Sequence, residues 1–558
     1  KSQLQNWRVV LVQAIESSLT EPDFVDRDYG RSSSRLQSIP AIGGTCFSPS
    51  GCPSLLVDRP VRAQHGCMES ATDQQATPRQ LLQRYFGYES FRRRQAEVID
   101  HVLAGNHAMV IMPTGMGKSL CYQIPALAMR PDRGDLVLVL SPLIALMQDQ
   151  VDSLKARGID AALINSSLDR ETREARYDEV AQGRYRLVYV TPERFRKAEF
   201  VEVLRKRRVS LLAVDEAHCV SQWGHDFRPD YSRLHEIREL LGNPTTVALT
   251  ATATAQCRAD IYRQLGIDPH DIRLFHEGID RPNLSLEVTD VWDDEAKRSA
   301  IETTLADSKY RGGSVIIYFS LIKTLQRFSD MLMSSGTDHV CYHGDLPRGR
   351  RRQIQDQFMQ GDADIVLATN AFGMGVDKQD IRVVIHAETP GSIESYYQEI
   401  GRAGRDDLPS LCHWLYDQND LMTQMQFIEW SNPDADFYSR LWTMLGEHGE
   451  RCAAFGFDWL NERLQRVSRH DHRLATALSM LDRHGVVAGP REPECFDVIA
   501  SLPPQFLDDE FLAEKKRRDQ QRLYAMVKLA AESGDRKAFL NRYFLGSGGE
   551  VDTVGDQS

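Results

Sequence analysis

The chain has 558 residues, 42% of them hydrophobic and 26% charged, enough for three or four domains with buried cores. Its formal charge of −12 excludes wholesale basic wrapping of nucleic acid, so any such contact must be local. No apolar run approaches the length of a membrane span, since the longest, at 136–147, is broken by Ser141 and Pro142.

The ten cysteines are scattered without close pairing, which favours a reducing, cytoplasmic setting over secretion. The first 67 residues are rich in Ser, Pro, Gly and Arg and show no sustained period beyond a short helix at 7–15, the pattern of a disordered segment. Met68 is the first methionine and precedes a polar linker and a helix expected at 78–85. It reads as the natural start, with residues 1–67 as an upstream artefact. A regulatory tail is the competing reading, and no apolar core of a signal peptide is present.

From residue 108 onward, short Val/Ile/Leu-rich runs alternate with helical patterns, as βαβ units of a parallel sheet do. One series comprises 108–112, 136–140, 187–190, 211–214 and 247–249. A polar link through Asp280, Arg281, Pro282 and Asn283 follows. A second series comprises 314–319, 365–368 and 383–385. Two similar α/β domains with a nucleotide between them are therefore expected, over 68–283 and 284–430.

Three motifs supply the chemistry. MPTGMGKSL at 112–120 follows the first strand and opens a helix, so the loop's bare N–H groups can cradle phosphates. Thr114, Gly115 and Gly117 shape that loop, Lys118 reaches the β- and γ-phosphates, and Ser119 ligates magnesium. Met112 stands where the general pattern has glycine. At 213–218, AVDEAH ends a buried strand with Asp215 to hold the magnesium shell and Glu216 to orient and deprotonate water. His218 closes this box and joins the catalytic set. In QEIGRAGRD at 398–406, Arg402 and Arg405 lie three apart on an expected helix, from which both can enter one cleft to offset phosphate charge. Gln398 opens the same motif on the nucleotide side. Each block alone has a bland reading, as a Gly-rich turn, a solvated acidic pair or a basic helix turn, but their order describes an ATP-driven nucleic-acid motor.

Basic clusters occur at 92–94, 205–208, 348–352 and 515–518, and most such runs are solvated faces. Between 458 and 496 a helix–helix–hairpin pattern, with LATALSMLDRHGVV at 474–487, suggests the recognition helix and first wing strand of a winged helix. A purely structural helical module competes with that reading, because the wing tip at 488–494 holds no aromatic wedge.

With these motifs the chain resembles the RecQ DNA helicases of superfamily 2 over roughly 81–416. FGYESFRRRQ at 86–95 resembles the family's adenine-recognition motif, which implies that Tyr88 stacks on the base, Gln95 reads its edge and Arg92 supports the nucleotide. SQWGHDFRPDY at 221–231 resembles the aromatic-rich loop that separates RecQ proteins from other DEAH helicases. Trp223 and Phe227 can stack on exposed bases and Arg228 can hold a phosphate; stacking of roughly 1–3 kcal/mol per base matches one duplex step of about 1.4 kcal/mol.

The resemblance implies two tandem RecA-like P-loop motor domains with parallel sheets, followed by a mainly helical region. That region divides into a winged-helix-like module at 431–505 and zinc-hairpin-like helices at 506–558. The segment 515–544 resembles the family's zinc hairpin, yet Asp535 stands where the family has cysteine and no Cys or His follows residue 544, so too few ligands remain for zinc. The implied function is an ATP- and magnesium-dependent 3′ to 5′ helicase in DNA repair and recombination. It would act on single-stranded and duplex or forked DNA, with a single-strand-binding protein as a candidate partner and no membrane role. An RNA helicase, or an ATP switch that binds or anneals strands, shares the same motifs.

Overall fold

The computed structural model describes residues 76–545, apart from 130–134, 143, 166–167, 222–230, 232, 374–375, 465–470 and 492–494. The expectations for 1–67, the helix at 7–15 and the start at Met68 lie outside the described residues.

Two parallel sheets organise the chain, both within the compact unit Gln74–Ser558. The first is built from β1 (His107–Ile111), β2 (Asp135–Leu140), β3 (Ala161–Ile164), β4 (Leu187–Val190), β5 (Arg208–Val214), β6 (Thr245–Thr250) and β7 (Ile272–His276). Its order is β3-β4-β2-β5-β6-β1-β7. These strands are near-continuous apolar runs because helices cover both faces. Along β2, Leu136, Leu138 and Leu140 enter the core on one face, whereas Val137 and Val139 enter the core on the other.

The second sheet holds β8 (Leu284–Asp290), β9 (Ser314–Tyr318), β10 (Val340–Tyr342), β11 (Ile365–Ala368), β12 (Ile381–His386) and β13 (Ser410–Tyr416). Its order is β10-β11-β9-β12-β13-β8. In both sheets the C-terminal strand ends carry the loops that matter, as in open α/β folds generally. Sequence patterning located the longer apolar strands but passed over β3, β7, β8, β10 and β13. β10 has only three residues, and β7 and β8 carry charged side chains. In β13 the mid-strand His413 is accommodated by hydroxyls, with Thr289 Oγ1 at 2.8 Å and Thr304 Oγ1 at 2.9 Å.

Before the first sheet, the helix expected at 78–85 splits into a short α-turn, Pro78–Leu81, and a π-type turn, Leu82–Phe86. Thr77 starts it with a reciprocal cap, its hydroxyl accepting Gln80 N–H while Gln80 Oε1 accepts Thr77 N–H at 2.8 Å. α1 (Gln95–Leu103) and α2 (Leu120–Ala128) then pack beside β1, and α2 is apolar almost throughout because it is buried on every side. In the second domain, α3 (Ile393–Ile400) buries Ile393, Tyr396, Tyr397 and Ile400 at helical spacing and is capped by Ser392, whose Oγ accepts Ser395 N–H at 3.2 Å.

Beyond the second sheet, α4 (Gln418–Ser431) leads to α5 (Ala435–Glu447), α6 (Gly449–Arg463) and α7 (Arg473–Arg483), and then to an antiparallel hairpin of β14 (Val487–Arg491) and β15 (Cys495–Val498). They share a core that includes Tyr438, Leu441, Leu478, Leu481 and Phe506. α6 is kinked where Gly456 takes φ +63°. The chain ends in α8 (Asp509–Ala531) and α9 (Arg536–Leu545). At the head of α9, Asp535 Oδ1 accepts Lys537 N–H at 2.8 Å, so this carboxylate serves as a helix cap. The basic run 515–518 is taken up by acidic partners: Lys516 pairs with Glu429 of α4 at 2.6 Å and Lys515 with Asp519 at 3.0 Å. Among the described residues no helix is long and apolar enough to cross a membrane.

Candidate active site

β1 delivers the Gly-rich loop to the edge of a cleft of about 1060 Å³ lined from both sheets. Gly115 and Gly117 adopt φ +83° and +73°, a backbone region open to glycine and strained for other residues. Gly117 also has no room for a side chain, because a carbon there would stand 2.8 Å from Gln95 Nε2. Met112 needs neither freedom nor space: it is 1% exposed in the core, and its carbonyl accepts Lys118 Nζ at 3.1 Å. Burial pushes the Lys118 ammonium below its ordinary range, and the nearby carboxylates of Glu216 and Asp215 oppose that shift. An ammonium held in so dry a place interacts strongly with any anion that enters.

The end of β5 sets two carboxylates opposite that loop. Asp215 N–H is fixed to Leu140 O at 2.8 Å, and burial, then the neighbouring Glu216, raises the Asp215 carboxyl to about 7. Glu216 turns into the left-handed region at φ +48°, with its N–H held on Asp215 Oδ1 at 3.0 Å. Such a conformation costs a non-glycine residue on the order of 1 kcal/mol, and here it aims the side chain toward the cleft. Glu216 Oε2 is buried without a hydrogen bond, with His218 Nδ1 at 3.3 Å. The same His218 nitrogen lies 3.0 Å from Thr250 Oγ1, which orients the ring from the neighbouring strand. Ser119, at the head of α2, lines the cleft with Asp215 and Glu216, so hydroxyl and carboxylate oxygens of the kind a hard divalent cation takes face the same cavity.

Arginines from the second sheet form the facing wall. The expected helix does not extend to them: α3 stops at Ile400, and 401–407 is a run of turns in which Gly404 and Asp407 take φ +57° and +64°. Glycine spacing breaks the helix, and the turns present both side chains to the cleft. Arg405 lies over Gly115, where a side-chain carbon would stand 3.2 Å from Arg405 Cγ. Its Nη1 donates to Asp377 Oδ1 at 2.5 Å, while Nε is buried without a partner. Arg402 turns back into its own domain and donates to Gly373 O. Gly401 completes the approach, since a side-chain carbon there would stand only 3.6 Å from Thr114 Oγ1.

Tyr88 is half exposed and lines the cleft with Arg92 and Phe86. Gln95 is placed differently. It is 2% exposed, its Nε2 donates to Met116 O at 2.8 Å and Gly117 O at 3.1 Å, and its Oε1 accepts Arg92 N–H at 2.9 Å. In this geometry Gln95 braces the phosphate loop. Gln398 lies on the opposite wall. Trp223, Phe227 and Arg228 lie outside the described residues; on either side of them, Ser221 Oγ donates to the buried Asp260 Oδ2 at 2.7 Å and Tyr231 is 1% exposed.

Sequence reasoning did not single out Asp377 and Thr250 as neighbours of the site. Asp377 lies within TNAFGMGVDK at 369–378 and Thr250 within TATAT at 250–254, but nothing in either stretch announces the partner.

A family model for the DEAD/DEAH box helicase matches residues 92–260, and one for the helicase conserved C-terminal domain matches residues 296–407. The chain is 43% identical over 353 residues to the ATP-dependent DNA helicase RecQ of Bacillus subtilis (strain 168), which covers 63% of this chain and 58% of that relative. It is 39% identical over 374 residues to the protein named "Probable ATP-dependent DNA helicase RecS" from the same organism, covering 67% of this chain and 73% of that one. Among solved structures, the DUF1998 helicase MrfA bound to DNA and AMPPNP matches with a TM-score of 0.52 at 17% identity, over 77% of this chain and 62% of that one, which is a likeness of fold. The chain thus spans little more than half the length of the first of these relatives.

Proposed function

Because this chain belongs to the RecQ family of helicases, we propose that it is an ATP-dependent DNA helicase that tracks single-stranded DNA from 3′ to 5′ and separates duplex or forked DNA during repair and recombination. The observation that carries this reading is the contact of Arg405, from the second sheet, with the Gly115 loop of the first. A nucleotide in that cleft touches both domains at once, so its arrival and cleavage change their separation.

The residues fit a magnesium nucleotide. The positive φ of Gly115 and Gly117 suits a phosphate cradle, Lys118 is a part-buried cation on the cleft wall, and the buried Glu216 Oε2 and Arg405 Nε have unmet hydrogen-bonding capacity. Ser119 and Asp215 would hold magnesium, which neutralises charge on the phosphate oxygens when bound. Lys118 leaves its loop carbonyls for the phosphates, while Tyr88 and Arg92 receive the base. Glu216 orients a water and takes its proton as the water attacks the terminal phosphate and ADP leaves. Arg405 offsets the charge on the transferring group from the opposite wall, with Arg402 behind it.

DNA reaches this chemistry through the loop that holds Trp223, Phe227 and Arg228. The short turn Ala217–Val220 joins Glu216 to the anchored Ser221, so bases stacked on the loop can move the water-activating carboxylate. The helices α5–α7 with their β14–β15 hairpin have the chain order of a winged helix, and we assign them to duplex binding. Steady-state ATP hydrolysis with no nucleic acid, single-stranded DNA or single-stranded RNA tests this reading. Strong stimulation by DNA supports it. Stimulation by RNA alone, or hydrolysis indifferent to both, contradicts it.

A further inference from the structure

The C-terminal helix pair contacts the segment between the two sheets. Lys537, in the first turn of α9, donates from Nζ to Arg281 O at 2.9 Å and Pro282 O at 3.2 Å. Arg281 is 6% exposed, and its guanidinium faces the other way, donating from Nη2 to Ala403 O at 3.0 Å and Gly404 O at 2.7 Å. Asn283 adds a second donor to Gly404 O at 2.8 Å and reaches Leu408 O at 3.0 Å. Gly404 has no freedom left: its N–H is bonded to Ile381 O at 2.9 Å, and a side chain there would run into Asn283. The next residue is Arg405.

α9 also holds the helix that leads into this turn. Tyr543 donates its hydroxyl to Glu394 Oε1 at 2.9 Å, and the Phe544 ring packs on Tyr397 with centroids 5.4 Å apart. Tyr397 in turn donates to Ile279 O at 2.6 Å, at the start of the same linking segment. Both routes from α9 end at the 401–405 turn, one through the linker and one through α3.

We propose that Lys537 is a positioning residue for Arg405: acting through Arg281 and the Gly404 carbonyl, the C-terminal helix pair sets where the arginine stands over the phosphate loop. Lys537 never meets the nucleotide. Its ammonium fixes two carbonyls of the linker, the linker's side chains fix the carbonyls of the turn, and the turn aims the guanidinium. A displacement of about 1 Å at a reacting group can cost on the order of a hundredfold in rate, so a clamp of this kind has leverage at a distance. The proposal rests on the reading of Arg405 as the residue that meets the transferring phosphate.

The test uses the full chain with Lys537→Ala, Arg405→Ala and both together. It measures ATP turnover, the affinity for ADP with aluminium fluoride, and the affinity for ADP alone. Lys537→Ala should lower kcat about tenfold and weaken the aluminium fluoride complex by a similar factor, with ADP affinity and melting temperature unchanged. In the Arg405→Ala background it should add nothing, because both changes remove one effect. An unchanged kcat and analogue affinity in Lys537→Ala beside a crippled Arg405→Ala overturns the proposal and leaves the arginine's role intact. So does an equal further loss in the double variant. Full activity in Arg405→Ala overturns the underlying reading instead. If Lys537→Ala does not fold, Tyr543→Phe, which removes only the bond to Glu394, should weaken the analogue complex in the same direction, and an unchanged complex overturns the clamp.

Discussion

Arg405 lies across Gly115, its side-chain carbons only 3.2 and 3.3 Å from where a side chain on that glycine would begin. The two residues belong to different sheets, so the contact exists only when the domains face each other. Arg405→Ala should therefore lower ATP turnover by roughly 10³-fold or more, the usual scale for an arginine supplied from a second domain, with nucleotide affinity changed only a few-fold. Arg405→Lys should recover little, since an ammonium lacks the planar fork. Steady-state kinetics beside equilibrium binding of a fluorescent ADP separates the two effects.

Glu216 occupies a strained backbone position beside Asp215 without a hydrogen bond to its buried Oε2. Glu216→Gln keeps the shape and removes the base, so hydrolysis should fall by about 10²- to 10⁴-fold. ATP binding should persist, which makes the variant a trap for the closed state. Single-turnover hydrolysis and filter binding check the pair of outcomes, and weak binding would show that Glu216 holds the nucleotide rather than the water.

His276 ends β7 just before the linking segment, and Gly278 N–H donates to its Nδ1 at 2.9 Å. Burial, with a smaller contribution from Arg258, lowers this imidazole from 6.5 to about 4. The depressed value means that the ring's contribution to stability is complete above pH 6.5 and is lost as pH falls toward 4, where the folded ring must also take a proton. The loss attributable to this residue is at most about 3 kcal/mol. Thermal unfolding of the wild type and His276→Gln across that window should show a wild-type loss that the glutamine variant lacks.

Trp223 follows closely on Ser221, which is five residues from Glu216 and pinned to Asp260. Trp223→Ala should keep basal hydrolysis and lose most of its stimulation by single-stranded DNA. The ratio of stimulated to basal rate is the relevant measurement, and an undiminished ratio rejects the loop as the coupling element.

The grouping of the candidate site residues was legible in the sequence because they sit in contiguous loops at strand ends, where a few glycines and charges form a local pattern. Lys118, Ser119, Asp215 and Glu216 all line the cleft that their motifs implied. The long-range contacts that brace the site were not legible. The Arg405–Asp377 pair spans 28 positions and the Lys537–Arg281 bond spans 256, and neither leaves a local pattern. The helix expected under Arg402 and Arg405 failed for a local reason, since Gly401 and Gly404 favour turns over helix. Gln95, to which the family resemblance gives a base to read, stands in this structure against Gly117, with its side-chain amide on the loop carbonyls. The meaning of Asp535 also emerged only from the fold, where it caps α9.

Whether this motor separates strands is decided by displacement of a labelled strand from a duplex with a 3′ single-stranded tail, in magnesium and ATP, with Lys118→Ala as the control. Strand release by the wild type, none by Lys118→Ala, and little from a duplex carrying only a 5′ tail are the expected results. Folded wild-type protein that hydrolyses ATP in response to DNA and yet releases no strand would overturn the helicase reading, and would mark the nucleotide cycle as a binding switch.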